Sequence, residues 1–233
     1  MRIVVLGTGT SVGKTWLTQD LAKGLGARHC PVLALKPVET GFPLADDRGP
    51  VAGSDAAQLE SVMFHVQHPR PHPLYALPEG LSPHLAAERH GRHIELGAIE
   101  SWISEAERAP GQRPFASLIE TAGGVFSPLS LQATNYDLAL ALGASLWLLV
   151  APDRLGVLHD VAATVSAMCS RGRGPDLLAL LPPSTVDAST GSNLRELKRL
   201  HPELTVVAHR PASESAPRTD SELLSAVRAR LSR

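Results

Sequence analysis

The chain has 233 residues, a formal net charge of −1 and only 4% aromatic side chains. That length suits one α/β domain with a sizeable core. The balanced charge and the scarcity of stacking side chains argue against nucleic acid as a partner.

The N-terminal run Ile3–Leu6 is apolar and β-branched, long enough for one buried strand. It leads into Gly7-Thr8-Gly9-Thr10-Ser11-Val12-Gly13-Lys14-Thr15, and Thr15–Leu25 then reads as a helix with leucines at 17, 21 and 25. Strand, glycine-rich turn and helix are the context of a phosphate-binding loop. Backbone N–H groups converge on phosphate oxygens, Lys14 adds a full positive charge, and the Thr15 hydroxyl can reach a bound Mg²⁺. Thr8 stands where the general pattern places its first glycine, with Gly7 and Gly9 on either side. Thr10, Ser11, Val12, Gly13, Lys14, Thr15 and Trp16 are assigned to the nucleotide.

A second strand is expected over Val32–Leu35, and Lys36 follows it directly, at the same sheet edge as the phosphate loop. A lysine there either reaches solvent or neutralises charge on a transferring phosphoryl group. Glu39 to Gly53, rich in Gly, Pro and Asp, reads as a loop. Ser54-Asp55 opens a helix over Asp55–Met63, where Asp55 serves the helix dipole or an Mg²⁺ ion. His65 to Pro78, with His65, His68 and His72 among prolines, reads as a loop of solvated histidines rather than a metal site.

Leu96, Ile99 and Ile103 mark a helix, and Ser117–Ile119 a third strand. Glu120 at its tip, followed by Thr121, Ala122, Gly123 and Gly124, is what a Walker-B-like metal site needs. Thr15, Asp55 and Glu120 make a plausible protein share of an Mg²⁺ shell that keeps several waters. Strands are further expected over Leu146–Val150, Leu177–Leu181 and Thr205–Ala208. Gly156-Val157-Leu158-His159 leads into a helix whose first amides can hold an anion, His159 alone reading as a capping or surface residue. Leu223, Val227 and Leu231 mark a final helix, with Thr219 and Glu222 as a capping box. Apolar runs without alternation, separated by amphipathic helices, predict a mainly parallel sheet with helices on both faces.

The longest apolar stretch, Leu138 to Ala151, is broken by Gly143 and is too short for a bilayer. No secretory signal precedes it, because the first apolar run stops at Gly7. Cys30 and Cys169 lack metal-like spacing and read as buried free thiols. A cytoplasmic location without a membrane partner is the expectation.

Taken in order, GTGTSVGKT, KPVETG, the Ser54-Asp55 pair, LSPHLAA, ETAGG with SPL, and RLGVLH resemble the dethiobiotin synthetase family over residues 7 to about 160. The resemblance implies a P-loop domain over 1–233 that is an ATP- and Mg²⁺-dependent ligase of biotin biosynthesis. It would join 7,8-diaminopelargonic acid and CO₂ into dethiobiotin, with ADP and phosphate released. It implies Lys36 and Lys14 as catalytic cations. Thr121, Ala122 and Gly123 would lie near the nucleotide, and Thr40 and Ser82 near the diamine. Gly156, Val157, Leu158 and His159 would hold the substrate carboxylate in the partner subunit of a homodimer. Thr121 replaces the family's usual glycine, Leu158 a frequent asparagine, and Pro182 the asparagine that reads adenine, which leaves nucleotide preference open. His209 to Ser213 are expected near the base. A partition-type nucleotide switch is the alternative from another class, but Gly9 occupies the position of its signature lysine. A cobyrinic-acid-type amidoligase would need a glutaminase region that the chain is too short to carry. Lys36, as a strand-end residue, is expected to contribute little to stability.

Overall fold

All six expected strands form, and they make one parallel sheet. In the computed structural model, which describes residues 1–42, 53–66, 68, 73–110, 113–209 and 221–231, the strands are β1 (Arg2–Gly7), β2 (Val32–Leu35), β5 (Ala116–Glu120), β6 (Leu146–Pro152), β7 (Leu177–Leu181) and β8 (Thr205–Ala208). They are ordered β2-β5-β1-β6-β7-β8, and every pairing is parallel. The chain reverses direction of growth on either side of β1, so the crevice at the carboxyl end of β1 is where a ligand belongs.

Each buried strand serves two cores, which is why its residues are apolar without alternation. Ile3 and Val5 pack with Leu17, Leu21 and Leu25 of α1 (Lys14–Gly26), Leu59 of α2 (Asp55–Glu60), and Leu223 and Val227 of α8 (Glu222–Leu231). Val4 and Leu6 face the opposite layer, built from α3 (Pro83–Arg89), α4 (Leu96–Glu107), α5 (Asn135–Ala141), α6 (Val157–Ser170) and α7 (Asn193–Leu200). Each fully buried leucine or valine of these layers is worth about 1.5–3 kcal/mol relative to exposure.

Several expectations need correction. Glu39 and Thr40 are not loop. They belong to β3 (Val38–Thr40), which pairs in parallel with β4 (Tyr75–Leu77) as a separate two-stranded sheet. The Tyr75 N–H donates to the Pro37 carbonyl at 2.9 Å and starts that pairing. The remainder of the expected loop, 43–52, lies outside the described residues, as does His72. His68 is not solvated: its ring stacks on Trp102 at 3.9 Å between centroids. Helix α2 stops at Glu60, short of Met63. The capping residue Thr219 lies outside the described residues, and Ser221 Oγ accepts the Leu224 N–H at 3.0 Å at the start of α8. Cys169 is exposed and Cys30 half-buried, so neither is the buried thiol expected. Among the described residues no helix is long and apolar enough to cross a membrane.

Candidate active site

The phosphate loop runs from the end of β1 into α1. Two of its residues take left-handed backbone angles, Ser11 at φ 57° and Gly13 at φ 94°. For a serine this conformation costs on the order of 1 kcal/mol, a strain kept where a loop must turn its amides inward. Gly7 is required sterically, since a Cβ there would lie 2.9 Å from the Gly9 carbonyl oxygen and from Val12 Cγ2. The ETAGG turn after β5 presses on this loop. A Cβ on Gly124 would stand 3.3 Å from Gly9 Cα, and one on Gly123 (φ 79°) 2.6 Å from Ser127 Oγ. Buried Asn135, at the head of α5, donates to the Ala122 and Gly124 carbonyls at 2.7 and 2.8 Å and fixes the turn.

Four of the expected residues converge at one point. Glu120, 1% exposed, accepts hydrogen bonds through Oε1 from Thr15 Oγ1 at 2.7 Å and from Lys36 Nζ at 2.9 Å. Lys36 Nζ also donates to Asp55 Oδ2. Burial alone would lower the Lys36 pKa, but the Glu120 and Asp55 carboxylates outweigh it and hold it well above the ordinary lysine value. Lys36 is therefore a buried, doubly paired cation, and the reading of a strand-end lysine that reaches solvent is overturned.

Lys14 is also buried. Its Nζ donates to the Gly9 carbonyl at 3.0 Å. Burial lowers its pKa to about 8; attraction from Glu120 opposes this and repulsion from Lys36 adds to it. The two ammonium groups thus share one electrostatic site around Glu120. Glu120 Oε2 is buried and makes no hydrogen bond among the described residues. Two carboxylates, one of them with an unsatisfied oxygen, and a hydroxyl suit a hard, oxygen-seeking divalent ion.

Thr121, which replaces the family's usual glycine, is buried at the end of β5. Its hydroxyl turns away from the loop and donates to the Val5 carbonyl at 3.0 Å inside the sheet. Thr40, half-buried, closes β3. The Gly41 N–H donates to the Glu79 carbonyl at 2.9 Å, which ties this segment to the turn before Ser82. Ser82 Oγ lies 2.7 Å from His84 Nδ1 at the head of α3.

A cleft of about 480 Å³ opens beside the phosphate loop, between Thr10–Gly13, Trp16, Arg154 and the Pro182–Thr185 turn after β7. His209, 2% exposed, packs its ring 5.5 Å from that of Trp16, and its Nε2 lies 2.8 Å from Asp20 Oδ2, off the hydrogen-bond direction. Residues 210–213 lie outside the description. Asp187 on the cleft rim accepts the Leu155 N–H at 2.8 Å, just before α6. Gly156, at φ 91°, begins that helix. Val157 is buried, Leu158 half-buried against the core, and His159 exposed. A larger groove of about 820 Å³, lined by Met1 and Arg2, lies at the opposite edge of the sheet. There the Arg2 guanidinium is held by Glu107 and Ser104.

Glu39 and Asn135 were not foreseen as site residues. The Glu39 carboxylate accepts the backbone N–H groups of Asp55 and Ala56 at 2.8 and 2.9 Å. Burial raises its pKa, while those N–H groups oppose the shift. A charged residue inside the KPVETG segment was the only signal the sequence carried for it.

Comparisons with known proteins agree with this geometry. A family model described as an AAA domain matches residues 1–215. The ATP-dependent dethiobiotin synthetase BioD of Caulobacter sp. (strain K31) is 38% identical over 172 residues, 71% of this chain and 69% of that protein. The Methylobacterium nodulans protein of the same name is 33% identical over 192 residues, 81% of this chain and 83% of that protein. In fold, the chain is similar to the MinC:MinD cell division complex of Aquifex aeolicus. The TM-score is 0.56 at 12% identity, with 98% of this chain and 95% of that chain covered. It is also similar to chloroplast FtsY of Physcomitrella patens, with a TM-score of 0.53 at 14% identity, covering 99% of this chain and 64% of that chain. Sequence kinship, the parallel sheet and the phosphate loop with its acidic strand tip lead to one conclusion: the chain belongs to the ATP-dependent dethiobiotin synthetase family and is an ATP-dependent ligase.

Proposed function

We propose that one domain spanning 1–233 closes 7,8-diaminopelargonic acid and CO₂ into the cyclic urea of dethiobiotin, converting ATP to ADP and phosphate. One amine adds to CO₂ and loses a proton, giving a carbamate. A carbamate oxygen attacks the γ-phosphorus as its bond to the β–γ bridging oxygen breaks. The second amine then attacks the carbamoyl carbon and loses a proton, and phosphate leaves with the electron pair of the broken C–O bond.

Carbamate and triphosphate are both anions, so their approach needs fixed positive charge between them. Lys14 is suited to the phosphates by its position in the loop. Lys36 is suited to the carbamate and the moving phosphoryl group. The observation that carries this reading is the sharing of Glu120 by Thr15 and Lys36, with Lys14 close enough to feel both charges. Thr15, Asp55 and Glu120 would hold Mg²⁺, which supplies further charge neutralisation on the phosphates when bound. Lys36 then has to yield its place between the two carboxylates, and the carbamate is the anion that draws it off.

Thr40 and Ser82, on the β3 side, suit the diamine. The cleft beside Trp16 suits the nucleobase. The start of α6, Gly156 to His159, suits the substrate carboxylate bound in the second copy of a homodimer. The free thiols Cys30 and Cys169 suit a reducing cytoplasm.

The test is product formation. With the diamine, bicarbonate, ATP and Mg²⁺, mass spectrometry should detect dethiobiotin in step with released phosphate. Slow phosphate release that ignores the diamine, with no cyclic urea, would overturn the assignment.

A further inference from the structure

We propose that Glu39 is a positioning residue that aims Asp55 at the metal. The inference rests on the reading of Asp55 as a metal ligand. Glu39 is 6% exposed, and both of its oxygens are committed to consecutive amides, Oε1 to Asp55 at 2.8 Å and Oε2 to Ala56 at 2.9 Å. Helix α2 already has an ordinary cap, because Ser54 Oγ accepts the Ala57 N–H at 3.1 Å. A buried carboxylate is a costly way to repeat that service. What it adds is a two-point grip on the Asp55 peptide from a strand of its own.

The strand is well anchored. Glu39 lies opposite Ala76 in the β3–β4 pair, and the Pro37 carbonyl accepts the Tyr75 N–H. Lys36 precedes this short sheet by one proline-stiffened step. The same run of chain therefore carries both the cation that meets Asp55 and the carboxylate that fixes the Asp55 backbone. Two hydrogen bonds to adjacent amides remove rocking of the helix start, leaving only side-chain torsions to move the Asp55 oxygens. Precise placement of a ligand carboxylate is what a small octahedral ion demands.

The experiment titrates Mn²⁺ onto the full chain with a non-hydrolysable ATP analogue, followed by electron paramagnetic resonance, beside steady-state Mg²⁺ dependence. Glu39→Ala loses both acceptors and should weaken Mn²⁺ binding about tenfold or more, with kcat at saturating metal within about threefold. Glu39→Gln keeps the shape and at least one acceptor, so it should fall between Glu39→Ala and the unaltered chain; it also serves if Glu39→Ala fails to fold. Each change is then repeated on Asp55→Asn. If Glu39 acts through Asp55, Glu39→Gln has no further effect on Mn²⁺ there. An equal effect in both backgrounds means a long-range charge effect and overturns the proposal. Unchanged Mn²⁺ binding in Glu39→Gln and Glu39→Ala, with Asp55→Asn weakened, overturns it while sparing the metal assignment. Unchanged binding in Asp55→Asn removes Asp55 as a ligand, and the proposal falls with it.

Discussion

Lys36 Nζ and Glu120 Oε1 meet at 2.9 Å across 84 positions of sequence because β2 and β5 are parallel neighbours with Leu35 opposite Ile119. The next residue on each strand is then the other's partner. Removing the lysine leaves two carboxylates facing each other with Glu120 fully buried, which costs about 3 kcal/mol or more. Lys36→Met should therefore lower turnover by about 100-fold or more and lower the metal-free melting temperature. Millimolar Mg²⁺ should restore stability in the variant more than it stabilises the unaltered chain. A melting temperature unchanged without metal would show that the pair is not holding the site together. The sign with pH follows from the raised pKa: the lysine's contribution is complete below the unfolded value and fades only as pH climbs through the higher folded one.

Lys14 behaves oppositely. Its pKa falls from 10.5 to about 8 on folding, so between those values the unfolded chain binds more protons and stability rises with pH. At neutral pH the charged, buried ammonium destabilises the nucleotide-free protein by on the order of 3 kcal/mol. Lys14→Met should thus raise the melting temperature at pH 7 while abolishing nucleotide turnover. A lower melting temperature would contradict this.

Triphosphate binding beside Lys14 is expected to restore its proton. In the unaltered chain at about pH 9, calorimetry in buffers of different ionisation enthalpy should register uptake of up to about one proton, and almost none at pH 6.5. Equal values at both pH settings would remove Lys14 from contact with the phosphates.

Asn135→Ala leaves the Ala122 and Gly124 carbonyls without their buried donor. A loss of about 2–4 kcal/mol is expected, together with a raised KM for nucleotide, because Gly124 packs on Gly9. Denaturant unfolding and steady-state kinetics measure the two separately. Loss of stability with KM unchanged would mean the turn does not support the phosphate loop.

Pro182 offers neither an amide side chain nor a backbone N–H to a base edge. GTP or CTP should replace ATP with kcat/KM within about tenfold, since apolar walls discriminate weakly. Pro182→Asn should favour ATP. Strong preference for ATP in the unaltered chain would place base recognition elsewhere.

The main sheet was legible because each strand is apolar on both faces, as Val4 and Val5 are in opposite cores. Strands β3 and β4 were not, since three residues each carry no readable period and prolines surround them. Lys36, Asp55 and Glu120 could be named from their positions after strands and at a helix start. Their contact depends on the register of β2 against β5, which composition does not encode. Glu39 escaped notice because its partners are backbone amides 16 and 17 positions away. Asn135 escaped because its partners are backbone carbonyls 13 and 11 positions away, at Ala122 and Gly124.

The order β2-β5-β1-β6-β7-β8 divides labour along the sheet. Lys36, Glu120 and the phosphate loop leave three adjacent strands, while the turns around the cleft leave β6 and β7. The charged cluster and the cleft thus lie on opposite sides of β1, with the phosphate loop bordering both. The turn after β7 can be rebuilt to admit another nucleobase while Lys36, Glu120 and the start of α6 stay as they are.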